Sequence, residues 1–563
     1  MANTMKEGFD LLAYSLDAGN DILATHTQEQ RKRLGQFLTP PTVARYMAHQ
    51  LGPLRDGDRI LDPAIGSGVL ACAVVERAIS AGMPLTLYLD GYEIDPDLAQ
   101  VAREVLARAA EMAARHGVTL HIQVHERDFI LERAPMGPLF DAYGLSDCYD
   151  HVIANPPYFK LNRNDPHVQA VAGLVNGSTN IYTLFMALSL RLLHPSDQDG
   201  SSKRACFIVP RSFCSGAYFA AFRRDFVRQA VPIAVHIFES REEVFERGDV
   251  LQENIILTFR SRRSGEGRGH SQSVFISTSR NAADLDVNPS GQEIPFELFL
   301  GKRNGVSFFR LPTGELDKAV VEIMDSWKGI LDRYGLKVST GPVVAFRAKS
   351  FLSTDVKVRA GQAVPLLWMQ NVHAQATEWP IARGNKPQAI LLEANEKNLL
   401  VPLKNYVLLR RFSAKEEHRR LVAAPLLSSD LDCRCQQVGL ENHLNYVYRQ
   451  DGDLTVAEVV GLSALFNSAL IDRYFRIVNG NTQVNATDLR ALPLPPMDII
   501  EHIGEEMLRA DGSANLDAVV FSILHDANLV PGLVNCQGDE DYEQVTGSTG
   551  YFADFGATSG AAE

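Results

Sequence analysis

Between residues 59 and 258 the chain alternates short apolar strands with helical or turn segments, and this rhythm limits the possible folds more than any other feature. Apolar runs at 59–61, 85–88, 121–124, 151–154, 206–209, 235–238 and 255–258 read as strands. Segments 69–77, 96–114 and 181–193 carry helical periodicity. Such a rhythm predicts a parallel-rich sheet with helices on both faces. Sheets of this kind take ligands at the carboxyl ends of their strands, so residues that follow strands are the candidates for chemistry.

Four strand ends carry polar signals. The first is followed by Asp62-Pro63-Ala64-Ile65-Gly66-Ser67-Gly68. Glycines here allow close backbone approach to a ligand, but the spacing is not that of a dinucleotide loop. An acid at Asp62 would repel a pyrophosphate. It suits a cationic ligand such as the amino or sulfonium side of S-adenosylmethionine, with Ala64, Gly66 and Gly68 lining the turn. The second strand closes on Asp90-Gly91-Tyr92-Glu93-Ile94-Asp95. Glu93 could accept both hydroxyls of a ribose, and Ile94 could pack on a purine. After the third, Asp128 could accept from an adenine amino group while Phe129 covers the ring.

The fourth strand runs directly into Asn155-Pro156-Pro157-Tyr158. Two prolines fix the backbone and remove two donors. An exocyclic amine on a base is a poor nucleophile because its lone pair is delocalised into the ring. The Asn155 side-chain oxygen and the Pro156 carbonyl can accept its two protons and draw the nitrogen toward tetrahedral geometry. Tyr158 offers a stacking face worth roughly 1–3 kcal/mol.

In this order the motifs resemble the gamma-class (Taq-type) adenine-N6 DNA methyltransferases of restriction–modification systems. Gly35-Gln36-Phe37-Leu38-Thr39-Pro40-Pro41 is similar to that family's leading motif, and the glycine loop, acidic strand ends and Asn-Pro-Pro-Tyr follow in sequence. The resemblance implies a Rossmann-like α/β methyltransferase fold with a mostly parallel seven-stranded sheet and a C-terminal mixed α+β target-recognition domain. It also implies S-adenosylmethionine as cofactor, with Thr39 and Pro40 at its methionine end and Phe185 on its adenine. Phe245 would sandwich a flipped base opposite Tyr158. The substrate is expected to be double-stranded DNA, since N6 of adenine is buried in a duplex and must be extruded to be methylated. A separately encoded restriction endonuclease is an expected partner. A methyltransferase of the same fold acting on an RNA base or a protein glutamine is the alternative.

These features divide the chain into an N-terminal helical extension (1–30), a catalytic domain (31–310), a recognition domain (311–496) and an acidic extension (497–563) whose end is expected to be disordered. The last segment holds thirteen acids against Arg509, so it carries −12 of the net charge of −13. The rest of the chain is near neutral, which is compatible with a locally basic nucleic-acid face. Candidate DNA contacts are Arg347, Lys349, Arg410, Arg411, Lys415, Arg419, Arg420, Asn481 and Gln483. Seven scattered cysteines, with only a lone Cys433-x-Cys435, give no metal framework. Without a secretory signal or an apolar run of bilayer length, a cytoplasmic monomer is expected.

Overall fold

The structure, a computed structural model, describes residues 9–27, 30, 37–134, 148–171, 179–195, 203–239, 253–263, 266, 272–303, 305–354, 362–382, 386–413, 417–431, 436–480, 483–510, 514–536 and 541–546. The chain forms two compact units, Met1–Thr313 and Gly314–Glu563. Among the described residues no helix is long and apolar enough to cross a membrane.

The first unit is built on nine strands: β1 (Arg59–Asp62), β2 (Leu85–Glu93), β3 (Val118–Glu126), β4 (His151–Ala154), β5 (Arg204–Pro210), β6 (Ala230–Phe238), β7 (Asn254–Ser261), β8 (Ser273–Ser279) and β9 (Gly291–Pro295). Their order across the sheet is β9-β8-β6-β7-β5-β4-β1-β2-β3. The strands from β3 to β5 are parallel to their neighbours, whereas β7 runs antiparallel between β5 and β6. The expected seven strands form an α/β, Rossmann-like sheet, and β8 and β9 extend its far edge. Order reverses around β1 and β4, and a ligand crevice opens at such a switch point.

Local chemistry sets the surrounding helices: α1 (Leu11–Thr25), α2 (Pro41–Gln50), α3 (Val69–Ser80), α4 (Pro96–Ala114), α5 (Phe129–Arg133), α6 (Pro166–Ala170) and α7 (Ile181–Leu192). Asp95 caps α4 by accepting from the N–H groups of Asp97 and Leu98, and Pro96 supplies a first helical residue that needs no donor. Leu98, Ala102, Val105, Leu106, Ala109 and Ala113 then form its buried stripe at helical spacing. Each large apolar side chain withdrawn from water in this way contributes ~1.5–3 kcal/mol. Helix α7 is buried around almost its whole circumference, which explains its nearly continuous apolar sequence.

The second unit combines a four-stranded sheet, ordered Leu336–Thr340, Leu444–Arg449, Tyr406–Arg410, Ala423–Leu426, with a five-stranded mixed sheet and helices. The helices include α8 (Glu315–Ser326), α9 (Val456–Asn467), α10 (Ala469–Val478), α11 (Met497–Arg509) and α12 (Leu516–Asp526). The helical stretch 456–478 is broken at Ser468, whose hydroxyl caps α10. The segment after Pro496 is not a separate extension over its described length. Helix α11 crosses α9 at Gly461 and Gly504, where any Cβ would collide with the backbone of the opposite helix. Ile500 and Ile503 are fully buried. Acids of this segment pair with arginines of the same unit: Asp517 with Arg419 at 2.8 Å and Asp541 with Arg473 at 2.8 Å.

Candidate active site

Four strand ends and the leading segment converge on one cavity. Its lining includes Thr39, Ala64, Gly66, Glu93, Ile94, Asp128, Phe129, Asn155 and Phe185. Pro40 caps α2, and Gly68, at φ +93°, makes the left-handed turn into α3 and faces Leu106. Gly66 also has positive φ, at +55°, which explains glycine at both positions.

Asp62 is only 1% exposed. Its Oδ1 accepts from the Ala64 N–H at 3.2 Å, while among the described residues nothing donates to its buried Oδ2. Burial, with the charge of nearby Glu93 adding to it, pushes its carboxyl up to about 8. Glu93 accepts from the Gly66 N–H at 3.0 Å and the Asp95 N–H at 2.9 Å, tying β2 to the glycine loop. Burial pushes Glu93 up to about 7. Beside it Ile94 is 54% exposed, an apolar surface left open at the cavity. Phe129 and Phe185 stack with centroids 5.4 Å apart. An unsatisfied buried carboxylate oxygen, an acid beside an open aliphatic face, and an aromatic wall fit the cationic, ribosyl and purine parts of S-adenosylmethionine.

Asn155 joins this cavity to the leading segment across more than a hundred residues of sequence. Its Nδ2 donates to the Phe37 carbonyl at 2.9 Å and to Thr39 Oγ1 at 3.1 Å. Two acceptors on that side fix the amide's orientation and leave Oδ1 on the other. Oδ1 lies 2.6 Å from the Tyr158 hydroxyl, which is also 2.9 Å from the Ile208 carbonyl. Pro156 is buried and Tyr158 half-buried, with the Tyr158 ring meeting Tyr182 edge-on at 6.2 Å. Phe245 lies outside the described residues.

Two participants had no distinct signal in the sequence. The Phe37 carbonyl is a backbone group, invisible to side-chain reading. His167 lines the cavity with both ring nitrogens against acids: Nε2 is 2.8 Å from Asp128 Oδ2 and Nδ1 is 2.7 Å from Asp165 Oδ1. Asp128 therefore already has partners, since its Oδ1 also accepts from the Leu131 N–H at 2.9 Å.

Within the second unit, backbone hydrogen bonds connect the segments that carry several of the residues considered for DNA contact. The backbone N–H of Arg411 donates to His443 O, that of Asn442 to Val343 O and that of Val484 to Arg411 O. This chain of bonds gathers the 343–349 turn, the 441–443 turn, Arg411 and Gln483. Arg347 and Lys349 are exposed, and Arg347 lies over the ring of Phe346, itself 77% exposed. Arg410 and Arg411 are half-buried and donate to the carbonyls of Val372 and Asn442. Arg420 is a correction: it is 1% exposed, donates to Ser413 Oγ at 3.1 Å and stacks on Phe475, so it belongs to the interior. Arg419 is likewise held by Asp517 and the Asn467 carbonyl. Lys415 and Asn481 lie outside the described residues.

Strand order, acidic strand ends and the Asn-Pro-Pro-Tyr turn together define an S-adenosylmethionine-dependent methyltransferase of the Rossmann-like class. Residues 111–245 match the family described as Eco57I restriction-modification methylase. The chain is 33% identical over 484 residues to the type II methyltransferase M.PstI of Providencia stuartii, covering 86% of this chain and 91% of that one. It is 31% identical over 505 residues to the type II methyltransferase M.BsuBI of Bacillus subtilis, covering 88% and 95%. Among solved structures, it overlaps a type I restriction-modification methyltransferase subunit from Streptococcus thermophilus with a TM-score of 0.32 and 15% identity, covering 48% of this chain and 50% of that one. The chain belongs to the type II methyltransferases of restriction–modification systems, enzymes that modify DNA at specific sites.

Proposed function

We propose that this enzyme methylates N6 of an adenine flipped out of duplex DNA, and that Asn155 is its central catalytic residue. The observation that carries the reading is the amide of Asn155, held by Phe37 and Thr39 with its oxygen directed away from both. Bound S-adenosylmethionine supplies an activated methyl group, with Asp62 toward its cationic end, Glu93 at its ribose, and Ile94, Phe129 and Phe185 around its adenine. Thr39 and Pro40 cover the methionine end.

The chain's own work is to hold the amine. Asn155 Oδ1 and the Pro156 carbonyl accept its two protons, localising the lone pair on nitrogen. The Tyr158 hydroxyl has one proton and two acceptors, Asn155 Oδ1 and Ile208 O. When the amine arrives, that proton can rest on Ile208 and leave Asn155 Oδ1 free to accept. No strong base is required, because the proton is lost after nitrogen becomes cationic. Tyr158 and Phe245 stack on the base, offsetting part of the few kcal/mol that extrusion costs. The segments carrying Arg347, Lys349, Arg411 and Gln483 are the proposed DNA-contacting part of the second unit. Exposed arginine and lysine suit phosphates, and Arg and Gln can also read base edges. A separately encoded endonuclease of the same specificity is the proposed biological counterpart.

Incubation with methyl-labelled cofactor and duplex DNA, RNA or protein tests the substrate. Label is expected in duplex DNA; label confined to RNA or to a protein glutamine would replace this reading with its alternative.

A further inference from the structure

We infer that His167 is a positioning residue for cofactor recognition, holding Asp128 in the orientation that receives the exocyclic amine of the cofactor's adenine. The inference rests on the proposal that this cavity binds S-adenosylmethionine with its adenine toward Asp128.

The geometry is specific. Asp128 stands just beyond β3 and caps α5 through Oδ1, which leaves Oδ2 as the oxygen whose direction is not set by its own helix. His167 Nε2 meets that oxygen at 2.8 Å, and the opposite ring nitrogen is held at 2.7 Å by Asp165, which caps α6. One imidazole thus spans two helix-capping carboxylates and is oriented from both sides. Among the described residues the charged groups that act on its ring are these two acids; Arg127, which lines the same cavity, has its guanidinium paired with Glu132 Oε2 at 3.1 Å.

Chemistry favours a cation in this position. Both ring nitrogens face acceptors, and only the imidazolium can donate from both. The hydrogen bond to Asp128 is the main influence raising the ring to about 9, against the opposing effect of burial. Asp128 is held below the usual carboxylate range despite its burial, with the His167 hydrogen bond the largest lowering influence. His167 therefore favours the ionised form of a half-buried acid at the wall of a cavity that Glu93 also lines. A carboxylate oxygen has room for two donors, so Oδ2 can accept from His167 and from an adenine amine together.

The test compares binding of S-adenosylhomocysteine with that of its analogue bearing hydrogen in place of the 6-amino group. The full-length chain is titrated calorimetrically as wild type, His167→Ala and His167→Gln, with thermal unfolding confirming that each variant is folded. Wild type is expected to prefer the amino-bearing ligand about tenfold or more, the effect of one charge-assisted hydrogen bond. In His167→Ala the preference should fall to near unity through weaker binding of the amino ligand alone. His167→Gln, which can still donate to Asp128, should recover part of it. An unchanged preference in His167→Ala, or equal weakening of both ligands, would overturn the positioning role. A wild type without any preference would instead overturn the placement of adenine at Asp128, and the role of His167 with it. If His167→Ala does not fold, His167→Gln decides the matter: a preference below wild type but above unity supports the role, and an unchanged one overturns it.

Discussion

Asp62, buried, and Glu93, half-buried, are acids on either side of the glycine loop, with pKa values pushed up by desolvation to about 8 and about 7. In the unfolded chain both would titrate in the ordinary carboxylate range. The folded chain therefore holds extra protons between that range and about pH 8, and the stability they contribute is lost as pH rises through the folded values. A cationic ligand reverses the preference by favouring the ionised acids. The rise in melting temperature produced by S-adenosylmethionine should accordingly grow between about pH 6 and about pH 9. A shift that is flat across this range would contradict the placement of the cofactor's cationic end. In Asp62→Asn the pH dependence should be reduced, because the group with the larger displacement can no longer ionise.

At the scale of elements, the parts legible in the sequence are those whose information is local. Strands β1 and β2 end in a residue that carries a proposed role, and β3 and β4 are followed within two residues by one, Asp128 and Asn155; their apolar runs sit between recognisable turns. Asn155 was identifiable because two prolines follow it directly after a strand. The support of Asn155 was not, since it comes from a backbone carbonyl and Thr39 more than a hundred positions away. His167 escaped for the same reason: spacing alone does not bring 167 beside 128. Arg420 shows the opposite error. A basic cluster at 410–420 reads as a solvated face, but Asp472 on α10 accepts from the Arg420 N–H and Phe475 packs beneath its guanidinium. The acidic segment was equally deceptive, because its charge concealed the small-residue crossing of α9 and α11. Gly504→Ala places a methyl group against the Ala457 carbonyl and should destabilise the chain by about 1–3 kcal/mol, as overpacking of a close contact does. Urea denaturation would measure this, and an unchanged midpoint would show that the crossing is loose.

Over the whole molecule, each unit has its own proposed task, and the two can be separated experimentally. Arg347→Ala should weaken DNA binding and lower the slope of log affinity against log salt by about one, as loss of a single phosphate contact predicts. It should leave cofactor binding unchanged. Arg420→Ala should lower thermal stability first, because it removes a buried side chain from the second unit's interior. Truncation after Pro496 should yield an unstable or insoluble chain, since α11 and α12 supply core and ion pairs to that unit; a soluble truncation with wild-type unfolding behaviour would contradict this. The central claim is that Asn155 directs methylation to N6 of adenine. The most direct measurement is mass spectrometry of nucleosides from duplex DNA treated with wild type or Asn155→Ala. Wild type should produce N6-methyladenine, and Asn155→Ala should reduce its rate of formation at least about a hundredfold, the scale of losing one positioned hydrogen-bonding group in a transition state. Methylcytosine as the product, or near-normal N6-methyladenine from Asn155→Ala, would contradict the account.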